Sequence, residues 1–415
     1  MPLSPSDVVI VGNSSDDPFA IDVAFAIGQA EDISDMISLK TFANSEFCPR
    51  FISDEADFDN IGNQLAGKTV IIVSTSNLVV SRQTLAMRNL LIARAAKENG
   101  AHEVVLLEPD LFYSAQDRGP TATEVDTNPD RSSTDLKKFD GQPFTARLYA
   151  QLLKLAGVDR VLTVHNHSQA VQSLFSEEFA GKFHNLIPFE IYTDYLYNSN
   201  IIDYAEDGTG LALCAPDAGA RKFVEQMFEH LDLPNAKIVQ LDKRRFGERE
   251  VEIQLHEHSD VCMEELAGLD VVLFDDMVRT GSTVVESCQF LKNSKPGRIV
   301  FAVTHFYASE EGREKMAATA IDEILTLNTL PTIQNRDQQG RLRKKMVVLK
   351  LEKWLGRNLC RVLDIADKQA SDSLYQIEMS SKNPRFIRKI WNNDELPGLH
   401  GNARRKPRPP GKTHN

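Results

Sequence analysis

Short apolar runs rich in β-branched residues alternate with longer helical patterns through most of this 415-residue chain. Strands that are apolar throughout are buried on both faces, and strands that alternate with helices usually pair in parallel. The rhythm runs twice, with a join near 185–200, so the sequence predicts an α/β fold with two tandem domains, each a mostly parallel sheet flanked by helices. The predicted strands are Asp7–Gly12, Thr69–Thr75, Glu103–Pro109 and Arg160–His165, then Leu211–Asp217, Lys237–Asp242, Asp270–Asp276, Arg298–His305 and Glu323–Thr329.

Composition narrows the class of protein. Hydrophobic residues make up 42% of the chain and charged residues 26%, which excludes a collagen-like or wholly disordered chain. Five widely separated cysteines argue against a disulfide framework. The chain lacks a basic start followed by an apolar run, and it has no apolar stretch near the roughly 20 residues of a membrane helix. These patterns predict a cytoplasmic protein with no membrane partner.

Charge is unevenly distributed along the chain. The net charge is −12, yet residues 381–415 alone carry nine Lys and Arg against two Asp and Glu. An acidic body disfavours nucleic acid as a partner. The C-terminal region 366–415 is predicted to be a polar to basic tail that is largely disordered. A solubilising or partner-docking extension is the plain hypothesis for it.

The strongest chemical signal is the segment Val271–Thr283, VVLFDDMVRTGST. A buried strand ends in two carboxylates, and a short turn leads into a helical pattern. Ligands of open α/β sheets bind beyond the carboxyl ends of the strands. A glycine lets the backbone approach an anion, and helix N-terminal amides bind phosphate, while adjacent carboxylates accept from sugar hydroxyls or hold hydrated Mg²⁺. The alternative is that the acidic pair only caps the helix.

Six segments, which include FDDMVRTGST, occur along the chain in the same order as similar segments of the ribose-phosphate diphosphokinase family. The segment FDDMVRTGST also resembles the phosphoribosyl-diphosphate loop of type I phosphoribosyltransferases. The resemblance covers about residues 7–365 and implies two tandem phosphoribosyltransferase-like domains, 1–187 and 188–343, with 344–365 packing back on the first. The other five segments are FANSEF (Phe42–Phe47), FYSAQDR (Phe112–Arg118), GVDRVLTVHNH (Gly157–His167), APDAG (Ala215–Gly219) and LDKRR (Leu241–Arg245).

The resemblance implies transfer of the diphosphoryl group of ATP to the anomeric hydroxyl of ribose 5-phosphate, with release of AMP. Such a reaction needs dense positive charge around the migrating phosphates. By resemblance Lys243 and Arg245 stabilise the transition state. They are two apart on a predicted strand, so they are expected to share one of its faces. Without the family, a Lys-Arg-Arg triplet is more often a solvated strand end.

The resemblance also implies the binding residues and a homo-oligomer with the nucleotide site shared between subunits. Phe42, Asn44 and Glu46 of a neighbouring chain would contact the adenine, although a lone aromatic beside a strand is usually core. Gln116, Asp117 and Arg118 would come from the chain that performs the chemistry. The implied ribose 5-phosphate contacts are Asp217, Asp275, Asp276, Arg279, Thr280, Gly281, Ser282 and Thr283.

The implied metal is Mg²⁺, with Mn²⁺ as the other candidate. The resemblance assigns His167 and Asp217 to it. His165 stands where the family has an Asp, and an imidazole is a softer ligand than Mg²⁺ prefers. A single His at a strand end is otherwise more often structural.

Departures from the family pattern leave two rival functions. Ala115 replaces an Arg that contacts ATP phosphates, His165 replaces the Asp, and Arg279 replaces an acidic residue of the sugar-phosphate loop. One rival is a catalytically weak homologue that co-assembles with an active synthetase and regulates it. The other is a phosphoribosyltransferase, which has no use for LDKRR or the adenine segment. The retained Lys243 and Arg245 favour an active enzyme, as do the retained His167, Asp217, Asp275 and Asp276.

Overall fold

The chain forms two compact units. The computed structural model describes residues 2–15, 17–29, 32–52, 56–119, 132–246, 250–307, 309–317, 320–366 and 373–378, and within 243–252 it describes no side chains. Unit 1 comprises Met1–Ile187, Thr329–Pro331 and Glu352–Ser373. Unit 2 comprises Pro188–Asn328, Thr332–Leu351 and the described part of Leu374–Asn415.

Unit 1 is built on a five-stranded parallel sheet and a separate hairpin. Its strands are β1 Val8–Gly12, β2 Ile37–Thr41, β3 Phe47–Phe51, β4 Thr69–Val73, β5 Glu103–Leu107, β6 Arg160–Val164 and β7 Phe183–Leu186. The sheet order is β1-β4-β5-β6-β7, and β2 pairs antiparallel with β3. Its helices are α1 Pro18–Ala26, α2 Ile33–Met36, α3 Arg82–Glu98, α4 Ser133–Lys138, α5 Thr145–Ala156, α6 Gln169–Glu178 and α12 Glu352–Leu363.

Local sequence explains the bounds of two helices of unit 1, α3 and α5. The Ser81 side chain accepts a hydrogen bond from the Thr84 N–H and so caps α3. Helix α5 ends at Gly157, whose φ of 103° suits a residue without a side chain. Buried residues recur on α5 at helical spacing, as at Tyr149 and Leu153, and this apolar stripe packs into the core of unit 1.

Unit 2 is built on an eight-stranded sheet. Its strands are β8 Leu211–Ala215, β9 Lys237–Phe246, β10 Glu250–Leu255, β11 Asp270–Val278, β12 Arg298–Phe306, β13 Glu323–Leu327, β14 Met346–Lys350 and β15 Gln376–Ile377. The order is β10-β9-β8-β11-β12-β13-β14-β15, with parallel pairing except for the terminal strands β10 and β15. Its helices are α7 Phe189–Asn198, α8 Arg221–Leu231, α9 Ser282–Lys292, α10 Glu310–Ala317 and α11 Arg336–Gln339.

The predicted fold class is confirmed, and one prediction about the C-terminal region needs correction. Segment 344–365 does not pack as a whole on the first domain, because Met346–Lys350 pairs in parallel with β13 in unit 2. Only the helix that follows, α12, belongs to unit 1. Within the predicted disordered region 366–415, Gln376–Ile377 pairs antiparallel with β14. Residues 379–415 lie outside the described part of the chain.

Two strands extend further than predicted. β9 continues to Phe246 because β10 pairs with its second half, and β11 continues through both carboxylates to Val278 because β12 flanks it to Phe306. No helix among the described residues has the length and apolar character needed to span a bilayer.

Candidate active site

Three neighbouring strands of unit 2 place predicted residues at one edge of the sheet. Strands β9, β8 and β11 lie side by side and pair in parallel. Asp217 follows the end of β8, Lys243 lies in the second half of β9, and Asp275 and Asp276 lie near the end of β11. The carboxyl ends of parallel strands are where ligands bind in sheets of this class. Of Lys243, Arg245 and their neighbours in 243–252, only the backbone is described.

The acidic cluster of Asp217, Asp275 and Asp276 is electrostatically strained. The Asp217 Oδ1 atom accepts hydrogen bonds from the Gly219 N–H at 2.9 Å and the Ala220 N–H at 3.3 Å, which fixes the turn after β8. The Asp276 N–H donates to Asp275 Oδ1 at 2.9 Å. Burial, and then the carboxylates of Asp276 and Asp217, raise the pKa of Asp275 well above its ordinary value. A cation or the hydroxyl groups of a ligand would relieve this repulsion.

The turn after β11 forms an anion-binding geometry. Gly281 has a φ of 72° and is the N-cap of α9, which begins at Ser282. The first amides of a helix have no partner inside the helix, and they attract phosphate. Thr280 is exposed, whereas Ser282 and Thr283 are half-buried. The acidic pair does not cap α9, since the N-cap is Gly281 and no side chain caps the helix.

Helix α10 covers this turn closely. The Ser309 N–H donates to the Arg279 carbonyl at 3.1 Å, and the Gly312 N–H donates to Ser309 Oγ at 3.2 Å. A Cβ built on Gly312 would lie 2.9 Å from the Thr280 carbonyl oxygen, so only glycine allows this approach. The Arg279 residue is exposed. Helix α10 thus fixes the backbone of the turn and leaves the Arg279 side chain in solvent.

In unit 1 the predicted nucleotide residues lie in a braced turn after β5. The Gln116 N–H donates to the Tyr113 carbonyl at 2.8 Å, and the Ala146 N–H donates to the Gln116 carbonyl at 3.3 Å. Ser168 Oγ donates to Asp117 Oδ2 at 2.8 Å, which joins this turn to the segment that contains His167. Arg118 Nε lies 3.9 Å from Asp117 Oδ1. The structure therefore brings Gln116, Asp117 and Arg118 next to the end of β6.

The predicted adenine residues lie at the tip of the β2–β3 hairpin. The Phe42 N–H donates to the Glu46 carbonyl at 2.8 Å, and the Glu46 N–H donates to Asn44 Oδ1 at 3.2 Å. All three residues are exposed, and the Phe42 ring lies 4.9 Å from Lys40 Nζ. The expectation that Phe42 could be core is wrong, because the residue is 44% exposed. In the described part of the chain, no hydrogen bond or ion pair joins this tip to Gln116–Arg118.

Comparison with known proteins shows which family this chain resembles. Residues 196–333 match the phosphoribosyl transferase domain model. A ribose-phosphate pyrophosphokinase of Corynebacterium efficiens is 26% identical over 297 residues, which span 71% of this chain and 77% of the relative. A ribose-phosphate pyrophosphokinase of Mycobacterium leprae is 29% identical over 250 residues, which span 60% of this chain and 65% of the relative. This chain is similar to ribose-phosphate pyrophosphokinases over most of its length.

A solved structure shows the same fold. The phosphoribosylpyrophosphate synthetase of Mycobacterium smegmatis superposes with a TM-score of 0.62 at 20% identity, over 86% of this chain and 99% of that one. The relatives are named as pyrophosphokinases, which are enzymes, and residues 196–333 of this chain match a phosphoribosyl transferase domain. The resemblance inferred from the sequence motifs is confirmed at the level of family and fold.

The metal predictions fit this chain only in part. No group of three or more His, Cys, Asp or Glu side chains suited to a metal ion occurs among the described residues. Mg²⁺ needs few protein ligands, because it is usually bound by one or two carboxylates together with substrate phosphates. The acidic cluster fits that pattern. His165 does not, since it is only 7% exposed and offers an imidazole instead of an oxygen.

Sequence reasoning missed a buried carboxyl network beside the turn that holds Gln116, Asp117 and Arg118. Glu108 follows β5 and is fully buried. Its Oε1 accepts from Ser74 Oγ at 2.6 Å, Asn89 Nδ2 at 3.0 Å and the Tyr149 hydroxyl at 3.2 Å. Its Oε2 accepts from the Phe112 N–H at 2.8 Å. A carboxylate directly after a buried strand, as in the segment Val271–Thr283, was the available signal.

Glu108 predicts a pH dependence of stability. Desolvation by burial raises its pKa to about 7, although the hydrogen bonds and Arg82 act in the opposite direction. The folded state therefore binds the Glu108 proton more tightly than the unfolded state does. The stability that this proton contributes to the fold is lost as the pH rises from about 4.5 through 7. We expect this group to lower the free energy of unfolding by about 3 kcal/mol between pH 4.5 and 8. Urea titrations at a series of pH values measure the free energy of unfolding. Its decrease with rising pH should be smaller in Glu108→Gln than in the wild type, and an equal decrease would contradict the prediction.

A pair of glycine substitutions tests the turn between β11 and α9. A Cβ on Gly281 would lie 3.2 Å from Met316 Cγ, at a φ of 72° that L-residues avoid. If the chain has the activity that the resemblance implies, Gly281→Ala should raise the KM for ribose 5-phosphate about tenfold, since the backbone amides move from the anion. Gly268→Ala is the matched control, because Gly268 has a φ of 78° and open space around it. Equal effects of both variants on KM would mean that only general strain was measured.

Proposed function

We propose that this protein transfers the diphosphoryl group of ATP to the anomeric hydroxyl of ribose 5-phosphate, giving 5-phosphoribosyl 1-diphosphate and AMP. One arrangement carries the proposal. The ends of β9, β8 and β11 are neighbours in unit 2, so the segment Leu241–Arg245 and Asp217 lie at the same sheet edge as the acidic pair of β11, and β11 leads into the turn at Gly281 before α9. A phosphoribosyltransferase would need the turn and the acidic pair but not Lys243 and Arg245.

Each part of the arrangement has a defined task in this reaction. The amides of Ser282 and Thr283 and the nearby hydroxyls bind the 5-phosphate. Asp275 and Asp276 accept hydrogen bonds from the ribose hydroxyls, and the loss of their mutual repulsion on binding favours the sugar. Lys243 and Arg245 stabilise the charge that develops on the migrating phosphates. Little covalent chemistry remains for the protein.

ATP binds through unit 1 in this proposal. Gln116, Asp117 and Arg118 contact the nucleotide from the braced turn, and Arg118 supplies the positive charge. Phe42 at the hairpin tip stacks on the adenine of a neighbouring subunit, since an exposed aromatic at the end of a two-stranded hairpin can reach another chain. The protein is accordingly a homo-oligomer. Mg²⁺, when bound, neutralises the phosphate oxygens, and the acidic cluster of Asp217, Asp275 and Asp276 is its candidate protein contact.

A second candidate function is a regulatory homologue that co-assembles with an active synthetase. Ala115 and His165 favour it, because both replace polar or charged groups that the family uses near ATP and the metal. His165 is buried, has a φ of 46° and donates its N–H to the Leu186 carbonyl at 2.9 Å, so its backbone is fixed in the sheet. A structural residue of this kind is what a lost metal site would leave behind.

Release of AMP separates the two candidates. Purified protein with Mg-ATP should release AMP only when ribose 5-phosphate is present. The matched control is Lys243→Ala. AMP release no greater than that of the control would exclude the enzyme. A rise in the activity of a co-purified partner synthetase would then support the regulator.

A further inference from the structure

The Glu108 network spans the centre of the unit 1 sheet at its carboxyl edge. β5 is the middle strand, and Glu108 follows it directly. Ser74, which follows β4, donates to Glu108 and accepts from Asn13 Nδ2 at 3.0 Å, and Asn13 follows β1. Asn89 of α3 donates to both Ser74 Oγ, at 2.9 Å, and Glu108 Oε1. Three strands and two helices are therefore tied to one carboxyl group.

The second oxygen of this carboxyl group, Oε2, holds the start of the turn that contains Gln116, Asp117 and Arg118. Oε2 accepts from the Phe112 N–H, and the next residue, Tyr113, reverses the chain at a φ of 62°. The Tyr113 ring packs edge-on against the Tyr149 ring, with centroids 5.2 Å apart. Arg82 of α3 pairs with Asp110 and lies over the Phe112 ring at 5.0 Å. The backbone path from Glu108 thus leads directly into Gln116, Asp117 and Arg118.

We infer that Glu108 is a positioning residue for nucleotide binding, whose carboxylate fixes the Phe112 amide and thereby the turn that presents Gln116, Asp117 and Arg118. This inference rests on the proposed function for the identity of the nucleotide. A charged acceptor makes the stronger hydrogen bond to a backbone amide, so ionised Glu108 holds the turn and protonated Glu108 holds it weakly. An amide at position 108 cannot replace it, because a Gln that accepts from Ser74, Asn89 and Tyr149 turns its own NH₂ toward the Phe112 N–H.

Charge state makes the positioning dependent on pH. The groups that face Glu108 are Arg82 from α3, Tyr149 from α5 and Tyr113 from the turn, with Asp110 paired to Arg82. The pKa of Glu108 is raised to about 7, while burial and Glu108 itself raise those of Tyr113 and Tyr149, so the two tyrosines stay neutral. Between pH 6 and 8 Glu108 is therefore the group of this network that changes charge.

The test combines a pH profile with hydrogen exchange. With saturating Mg²⁺, the KM for ATP of the wild type should rise about tenfold from pH 8 to pH 6, as the ionised fraction falls. In Glu108→Gln the KM for ATP should be high and independent of pH. The kcat should change less than the KM does. Tyr149→Phe removes one hydrogen bond to the carboxylate, so its midpoint should move to higher pH. Asp17→Asn is the matched control, a second buried carboxyl of unit 1, and should keep the wild-type profile.

Hydrogen exchange keeps this inference separate from the proposed reaction. At pH 8 the peptide 109–119 should exchange faster in Glu108→Gln than in the wild type, and Asp17→Asn should leave it unchanged. That result stands even if no AMP is released. Equal exchange in Glu108→Gln and the wild type, or a wild-type pH profile in Glu108→Gln, would overturn the inference.

Discussion

Lys243→Ala should lower kcat by about a thousandfold while the KM values for ATP and ribose 5-phosphate change by less than about threefold. The reason is that charge accumulates on the migrating diphosphoryl group mainly in the transition state, so a cation placed there binds the transition state more tightly than the substrates. Steady-state kinetics of AMP release with each substrate varied separately measures both constants.

Arg244→Ala is the matched control for this variant. Lys243 and Arg245 pair in register with Ile253 and Val251, and Arg244 between them pairs with Glu252. Because residues two apart on a strand share a face and neighbours alternate, we expect removal of Arg244 to change kcat by less than about threefold. Equal losses in kcat and in substrate binding for Lys243→Ala would show that Lys243 is only a substrate contact.

Asp275→Asn should lower kcat/KM for ribose 5-phosphate by at least about a hundredfold and should not lower the melting temperature at pH 8. A charged acceptor for sugar hydroxyls is lost, which explains the loss of activity. The raised pKa of Asp275 means that its ionised form destabilises the fold as the pH rises through that pKa, so removing the charge relieves strain. Kinetics and thermal melts at pH 8 measure the two effects.

Asp270→Asn on the same strand provides the opposite pattern. Asp270 begins β11, is buried, and accepts from the Asp203 N–H at 2.7 Å. Its replacement should lower the melting temperature and leave kcat/KM of the folded protein unchanged. Loss of activity in Asp270→Asn, or a lower melting temperature in Asp275→Asn, would contradict the assignment of Asp275 to the sugar.

The architecture and the unit 2 site could be predicted because the relevant signals are local. A continuous apolar run such as Val271–Phe274 specifies a buried strand by itself, and the carboxylates that follow must then lie at its carboxyl end. The helix start after Gly281 is also local, since a glycine in the left-handed region ends the strand's extension. The assignment of roles, by contrast, came from the family resemblance.

Features that depend on distant partners could not be predicted. The donors to Glu108 come from Ser74, Asn89 and Tyr149, which no sequence spacing connects. Strand Met346–Lys350 joins unit 2 because β13 offers an open edge, although the helix after it packs in unit 1. The β2–β3 hairpin and β10 were missed for the same reason, since their mixed sequences become strands only by pairing.

The most direct measurement of the central claim follows the diphosphoryl group itself. ATP labelled at the β-phosphate is incubated with ribose 5-phosphate, Mg²⁺ and the purified protein, and the products are separated. We predict AMP and 5-phosphoribosyl 1-diphosphate in equal amounts, with all of the transferred label in the sugar diphosphate. Label that stays entirely in ATP, or transferred label that appears in ADP or free diphosphate, would contradict the account.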